Sequence, residues 1–193
     1  MPIPVRDSDA LILVDVQNDF LPGGTLAVPG GDAVVEPLNR AAALFAARGL
    51  PVFATRDWHP PDHCSFRARG GPWPPHCVVA TPGAAFAPGL RLPDAAVVIS
   101  KATTPDRDAY SGFQGTDLAE RLRRAGVKRV VVGGLATDYC VKETVRDALA
   151  AGFEVVLLTD AIRAVDVHAG DGEAARHDML GCGAVPATSA ELA

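Results

Sequence analysis

The chain has no excess of positive charge: 18 Lys and Arg stand against 23 Asp and Glu, a formal net charge of −5. That removes the basic footprint a nucleic-acid-binding surface needs. It has no run of like charges either, so neither an acidic tail nor a membrane-surface stripe is expected. Its apolar runs are of strand length, well short of the roughly 20 residues that cross a bilayer. The opening stretch MPIPVRDSDA lacks the apolar segment of a secretion signal, and a cytoplasmic location is expected. Cysteine is sparse: Cys64, Cys77, Cys140 and Cys182. In that compartment the four are expected to be reduced, and a Cys64–Cys77 disulfide is disfavoured. Internal repeats and low-complexity tracts are absent, so repeat architectures are set aside.

What is present is an ordinary globular composition, 48% hydrophobic and 21% charged, over 193 residues. That length suits a single domain, residues 1–193, with a sizeable core. Short apolar runs alternate with longer amphipathic ones. The runs predict strands over 10–16, 51–57, 95–101, 128–134, 153–162 and 184–187. The amphipathic stretches predict helices over 32–49, 116–126, 138–152 and 171–183. Gly49 and Gly126 read as helix stops, and Thr116 as an N-cap. Strands alternating with helices imply an α/β fold with a mostly parallel sheet covered on both faces. The exception is 58–92, rich in Pro and Gly, with two Trp and three His. An irregular segment of that length in a compact domain usually carries function.

Ligands of open α/β sheets bind outside the carboxyl ends of the strands. Asp15 ends the first predicted strand, Asp57 the second and Lys101 the third, and the fourth leads through GGLATDYC to Cys140. Taken singly, an Asp at a strand end is a turn or cap residue, a Lys is solvated and an intracellular Cys is a small core hydrophobe. At equivalent topological positions the four residues form a candidate site. A cysteine in the first turn of a helix meets free N–H groups and the positive end of the dipole, and both favour thiolate. Thr137 or Asp138 is the expected cap of that helix. A sulfur nucleophile also needs a base, and Asp15 on the neighbouring strand is placed to serve.

The stretch DWHPPDH reads Asp-x-His-x3-His, and His76 follows in WPPHCV. Asp57, His59, His63 and His76 are thus candidate ligands of one divalent ion within a loop at about 57–92. Oxygen and nitrogen donors suit Zn²⁺ first, with Fe²⁺ and Mn²⁺ also accommodated. Asp62 ranks below Asp57. A closed zinc site using Cys64 and Cys77 fits poorly, because each adjoins a His and neither forms a CxxC knuckle. His168 and His177 lie apart from the loop and read as structural or exposed.

These motifs resemble the nicotinamidase (nicotinamide deamidase and pyrazinamidase) family of the isochorismatase-like cysteine hydrolases. The likeness rests on LILVDVQNDFLPGGTLAV, TRDWHPPDHCSF, WPPHCVVATPGAAF, AYSGF, GLATDYCVKET and LTDAIRAVD, and runs from about residue 10 to 186. The resemblance implies a three-layer αβα fold around a six-stranded parallel sheet. It implies an Asp15–Lys101–Cys140 triad and an oxyanion hole from the backbone N–H groups of Ala136 and Cys140. It implies a cis peptide between Leu135 and Ala136, and the aromatic pocket residues Phe20, Trp73 and Tyr110. Its activity is conversion of nicotinamide to nicotinate and ammonia through a cysteine thioester, in NAD salvage. The implied partner is a small molecule, with homo-oligomerisation left open. Two other readings compete: an amidase of N-carbamoyl or ureido substrates, which keeps the triad without the metal loop, and a non-catalytic zinc-binding module.

Overall fold

The apolar runs become six strands. In a computed structural model that describes residues 2–193, they are β1 (Asp9–Val14), β2 (Val52–Asp57), β3 (Val97–Lys101), β4 (Arg129–Leu135), β5 (Glu154–Arg163) and β6 (Val185–Ala187). They form one sheet in the order β3-β2-β1-β4-β5-β6. Every neighbouring pair is parallel. The chain steps outward from β1 to β3, then returns past β1 to begin β4. The β1/β4 boundary is therefore the switch point where a crevice opens.

All six positions of β1 are buried, because both faces of the sheet are covered. Leu11 and Leu13 join one core with Leu38, Ala41 and Phe45 of α1 (Val35–Ala47). Ala10, Ile12 and Val14 point the other way. They meet Leu118 and Leu122 of α2 (Leu118–Arg124), Val145 and Ala148 of α3 (Lys142–Ala150), and Met179 of α4 (Asp171–Gly181). This is the expected three-layer αβα arrangement. Each large apolar side chain so buried contributes about 1.5–3 kcal/mol.

The differences from the predicted elements lie at their ends. The stretch before α1 is a 3-10 turn, Gly31–Val34. Gly49 follows α1 with φ 67°, as a helix stop should. Thr116 accepts the Leu118 N–H at 3.3 Å, although the backbone turns into α2 at Asp117. Ahead of α3 the chain makes a wide π turn, Thr137–Val141. At the switch point β1 and β4 nearly touch: a Cβ on Gly134, at φ +136°, would lie 2.1 Å from the Val14 carbonyl oxygen. The Leu135–Ala136 peptide that follows is cis, as the resemblance implied. Cys64, Cys77, Cys140 and Cys182 are all free.

Candidate active site

The four strand ends converge as expected. Asp15 leaves β1 with φ 49° and is fully buried. The Thr55 hydroxyl of β2 donates to its Oδ1 at 2.6 Å. Lys101, at the end of β3, extends across Asp57, its register partner on β2. Its Nζ lies 2.9 Å from Asp15 Oδ2 and 2.5 Å from Asp57 Oδ1. The same ammonium donates to the Ala109 carbonyl at 3.1 Å and to Cys140 Sγ at 3.5 Å. Donor atoms of Asp15, Asp57 and Cys140 all lie within 4.8 Å of one another. Burial alone would discharge Lys101, but Asp15 and Asp57 hold its pKa well above the usual lysine value.

Two expectations about Cys140 change. Burial pushes its thiol well above the ordinary range, although Lys101 pulls the other way. Burial thus favours the thiol at rest, against the thiolate expected at the helix N-terminus. Asp15 is likewise pushed up by burial, against the pull of Lys101. Nor does Thr137 or Asp138 cap the helix. Ala136 occupies the cap position and no side chain bonds there. The Asp138 carboxylate instead accepts the N–H groups of Val165 at 2.9 Å and Asp166 at 2.8 Å, tying the segment after β5 to the cysteine turn.

Of the four candidate ligands, Asp57, His59 and His76 bring donor atoms within 4.8 Å of one another. His59 Nδ1 donates to the His76 carbonyl at 3.0 Å, and His76 Nδ1 to the Pro74 carbonyl at 2.8 Å. Each bond leaves Nε2 with a free lone pair. His59 Nε2 is buried without a hydrogen-bond partner and lies 3.7 Å from Asp57 Oδ1. Burial, with His76 and His63 beside it, pushes the His59 pKa down to about 3, so the ring is neutral and able to ligate. An orphaned, buried lone pair facing a carboxylate fits a divalent cation. His63 stacks on His59, with centroids 4.2 Å apart, but both its nitrogens are engaged elsewhere. His168 is exposed beside Asp171, and His177 is exposed on α4.

Cys140 and two of the candidate ligands, Asp57 and His76, face one narrow slot, lined also by Phe20, Leu26, Trp73, Tyr110, Tyr139, Val165 and Ala136. All three predicted aromatics are there. The Trp73 indole N–H donates to the Tyr110 hydroxyl at 3.0 Å, joining two walls.

Residues 9–191 match the isochorismatase domain. The chain belongs to the isochorismatase family. Within that family it is similar to the nicotinamidase of Escherichia coli (strain K12), at 40% identity, over 94% of this chain and 95% of that protein. Among solved structures, the pyrazinamidase of Pyrococcus horikoshii in complex with zinc is 52% identical, with a TM-score of 0.90 over 94% of this chain and 99% of that one. PnC1 from L. infantum in complex with nicotinate is 40% identical, with a TM-score of 0.92 over 100% and 99% of the two chains.

Four residues that shape this isochorismatase-family site escaped the reading of motifs. Tyr139 lines the slot edge-on to Trp73, centroids 5.1 Å apart. Thr55 orients Asp15. Gln17 brackets Asp57: its Oε1 accepts the Asp57 N–H at 2.8 Å and its Nε2 donates to the Asp57 carbonyl at 2.8 Å. Asp19 accepts the Cys77 N–H at 2.7 Å, beside His76. A signal existed for the last two: polar letters directly after a fully apolar strand, in a segment too close to the core to be solvated.

Proposed function

We propose that this chain is a metal-dependent nicotinamidase, hydrolysing nicotinamide, and pyrazinamide with it, to the free acid and ammonia. The observation that carries the reading is the slot itself. One apolar, aromatic-walled space has Cys140, Asp57 and His76 in its lining, and His59 brings a ring nitrogen within 4.8 Å of the Asp57 and His76 donor atoms. A flat heteroaromatic amide presents a ring nitrogen and an electrophilic carbon, matching those two features. The nicotinamidase and pyrazinamidase relatives, and the zinc and nicotinate in two related structures, support it.

Asp57, His59 and His76 would hold the ion, zinc by preference, with Fe²⁺ and Mn²⁺ also suited to the donor set. When bound, it would supply a Lewis acid that anchors the ring nitrogen. Phe20, Trp73 and Tyr110 sandwich the ring and set its carboxamide over the Cys140 sulfur, a proximity effect. Asp15 takes the thiol proton as sulfur attacks the carbonyl carbon. The backbone N–H groups of Ala136 and Cys140 receive the developing oxyanion. Asp15 returns the proton to nitrogen as the C–N bond breaks and ammonia leaves. Water then cleaves the Cys140 thioester to nicotinate, regenerating the thiol. Lys101 pulls Asp15 toward the carboxylate form, against burial, and faces the sulfur as it gains charge. Such an activity would serve NAD salvage in the cytoplasm.

The test is ammonia and nicotinate release from nicotinamide, with and without chelator and with zinc restored. Turnover that is indifferent to chelator would remove the metal from the mechanism. No turnover of nicotinamide or pyrazinamide, beside hydrolysis of an N-carbamoyl or ureido amide, would shift the substrate class.

A further inference from the structure

Asp138 is buried two residues before Cys140, yet it takes no part in the triad and caps no helix. A buried carboxylate needs partners, because its desolvation is otherwise uncompensated. Its partners are two consecutive backbone N–H groups. Oδ1 accepts from Val165 at 2.9 Å, and Oδ2 accepts from Asp166 at 2.8 Å. Charge-assisted bonds to both oxygens of one carboxylate fix position and orientation together. The fork therefore holds the segment just beyond β5 in one place against the turn that carries Cys140.

That segment forms part of the slot. Val165 lies two residues past the end of β5, lines the slot, and packs against the core that holds Phe20 and Ala136. Asp166 has φ 52°, a left-handed backbone that a residue with a Cβ adopts at a cost. Its Oδ1 accepts the Gly172 N–H at 2.7 Å, in the first turn of α4. The fit there is close: a Cβ on Gly172 would collide with the Ala164 side chain. From Asp166 to Gly170 the residues are exposed, so burial does little to hold the wall. The Asp138 fork on one side and the Asp166–Gly172 bond on the other do that instead. Four of the slot residues are aromatic and grip the faces of a flat ring; Val165 and Leu26 are the larger aliphatic walls. A wall held through its backbone cannot swing aside as a rotamer can, and so limits how far a ring system extends.

We propose that Asp138 is a positioning residue that sets the width of the slot: by fastening Val165 against the cysteine turn, it confines substrates to amides of a single ring and rejects fused bicyclic ones. This rests on the amide-hydrolase reading above.

The experiment compares kcat/KM for nicotinamide with that for two bicyclic analogues fused at different edges, quinoline-3-carboxamide and isoquinoline-4-carboxamide. The proteins are zinc-loaded wild type, D138A, D138N, V165A and the double variant D138A/V165A. Wild type should prefer nicotinamide by about 10²-fold or more. D138A and V165A should each raise the bicyclic-to-monocyclic ratio about tenfold for at least one analogue. The double variant should go no further than the larger single effect, because both changes act through one wall. D138A should raise KM for nicotinamide more than it lowers kcat, and D138N, whose carbonyl still accepts one N–H, should fall between D138A and wild type. A ratio unmoved in D138A, with kcat lowered equally for all substrates, overturns the proposal: the carboxylate would then support the cysteine turn alone. Additive shifts in the double variant, or a wild type that accepts a bicyclic amide as readily as nicotinamide, also overturn it. Where D138A does not fold, D138N carries the test, and a wild-type ratio in D138N counts against it. Wild-type protein that turns over neither nicotinamide nor pyrazinamide overturns the function and the selectivity with it; amide hydrogen exchange at Val165 and Asp166, expected to be faster in D138N, then judges the fastening alone.

Discussion

Asp19 offers the most direct way to measure what holds the metal loop in place. It sits in the 3-10 turn Asn18–Phe20 and is buried. One carboxylate oxygen accepts the Cys77 N–H at 2.7 Å, and the other accepts the Thr25 N–H at 3.4 Å. It lies flat on Gly83, where a Cβ would come within 2.1 Å of Asp19 Oδ2. Asp19→Ala leaves the buried Cys77 N–H without its acceptor. A charge-assisted bond of this kind is worth about 1.5–3 kcal/mol, and the orphaned donor costs a similar amount. At about 2–4 °C per kcal/mol for a chain of this size, Tm should fall by roughly 3–12 °C. Asp19→Asn keeps one carbonyl oxygen for Cys77 but loses the charge, so about half the effect is expected. Because Cys77 adjoins His76, zinc affinity should fall about tenfold or more in the alanine variant, the size seen when support for a metal ligand is lost. Urea unfolding of metal-free protein isolates the loop contribution, and competition with a chromophoric chelator gives the affinity. Unchanged apo stability in both variants would refute the anchoring role. Lost stability with unchanged zinc affinity would show that the loop's position does not govern His76.

Four further outcomes are expected. Cys140→Ala should lower ammonia release by about 10⁴-fold or more, with far-UV circular dichroism and zinc content unchanged; residual turnover near wild type would remove the nucleophile. Lys101→Met should abolish turnover yet tighten zinc by about tenfold, because the ion becomes the chief counter-charge of the buried carboxylates; weaker zinc binding by metal titration would contradict this. Trp73→Phe removes the indole N–H from Tyr110 and should lower kcat/KM up to about tenfold, through a bond worth about 0.5–1.5 kcal/mol. Gly134→Ala should cost more than about 4 kcal/mol or prevent folding, read by urea denaturation, since backbone atoms of β1 occupy the space.

The strand ends were legible because the physics behind them is local. A continuous apolar run such as ALILV can be satisfied only in a strand buried on both faces, and the first polar residue after it marks the rim of the sheet. Asp15 follows directly from that rule, Asp57 and Lys101 close strands that turn polar earlier, at Thr55 and Ser100, and parallel topology brings the three together. The candidate ligands came from the spacing Asp-x-His-x3-His with His76 following, and the aromatic pocket came through resemblance. What stayed hidden depends on contacts between segments far apart in sequence. Gln17 reads as one polar letter until Asp57, forty residues on, presents its backbone to it. Tyr139 looks like a helix residue, but the π turn carries it into the slot. His63 is held between the Ser65 N–H, 3.3 Å from its Nδ1, and the Arg107 carbonyl, 3.0 Å from its Nε2, forty-four residues on. Cys140 shows what local sequence leaves out: its place in a first helical turn argues for thiolate, while burial, and after it Asp15 and Asp57, push its pKa up.

Lys101 is where the two halves of the site meet. It extends from β3 past the end of β2 to Asp15 just beyond β1, so its ammonium must pass Asp57 on the way. One positive charge therefore serves two buried carboxylates, one beside Cys140 and one among the candidate ligands. A single cation cannot fully offset both, and the shortfall is met most cheaply where imidazole nitrogens already converge on a carboxylate, at Asp57, His59 and His76. An ion there would free the ammonium to face Asp15 and the sulfur. On this argument a bound ion would belong to the charge balance around Cys140 as well as to the grip proposed for the ring, and the opposite responses expected of zinc affinity and turnover in Lys101→Met follow from Asp15, Asp57 and Lys101 together.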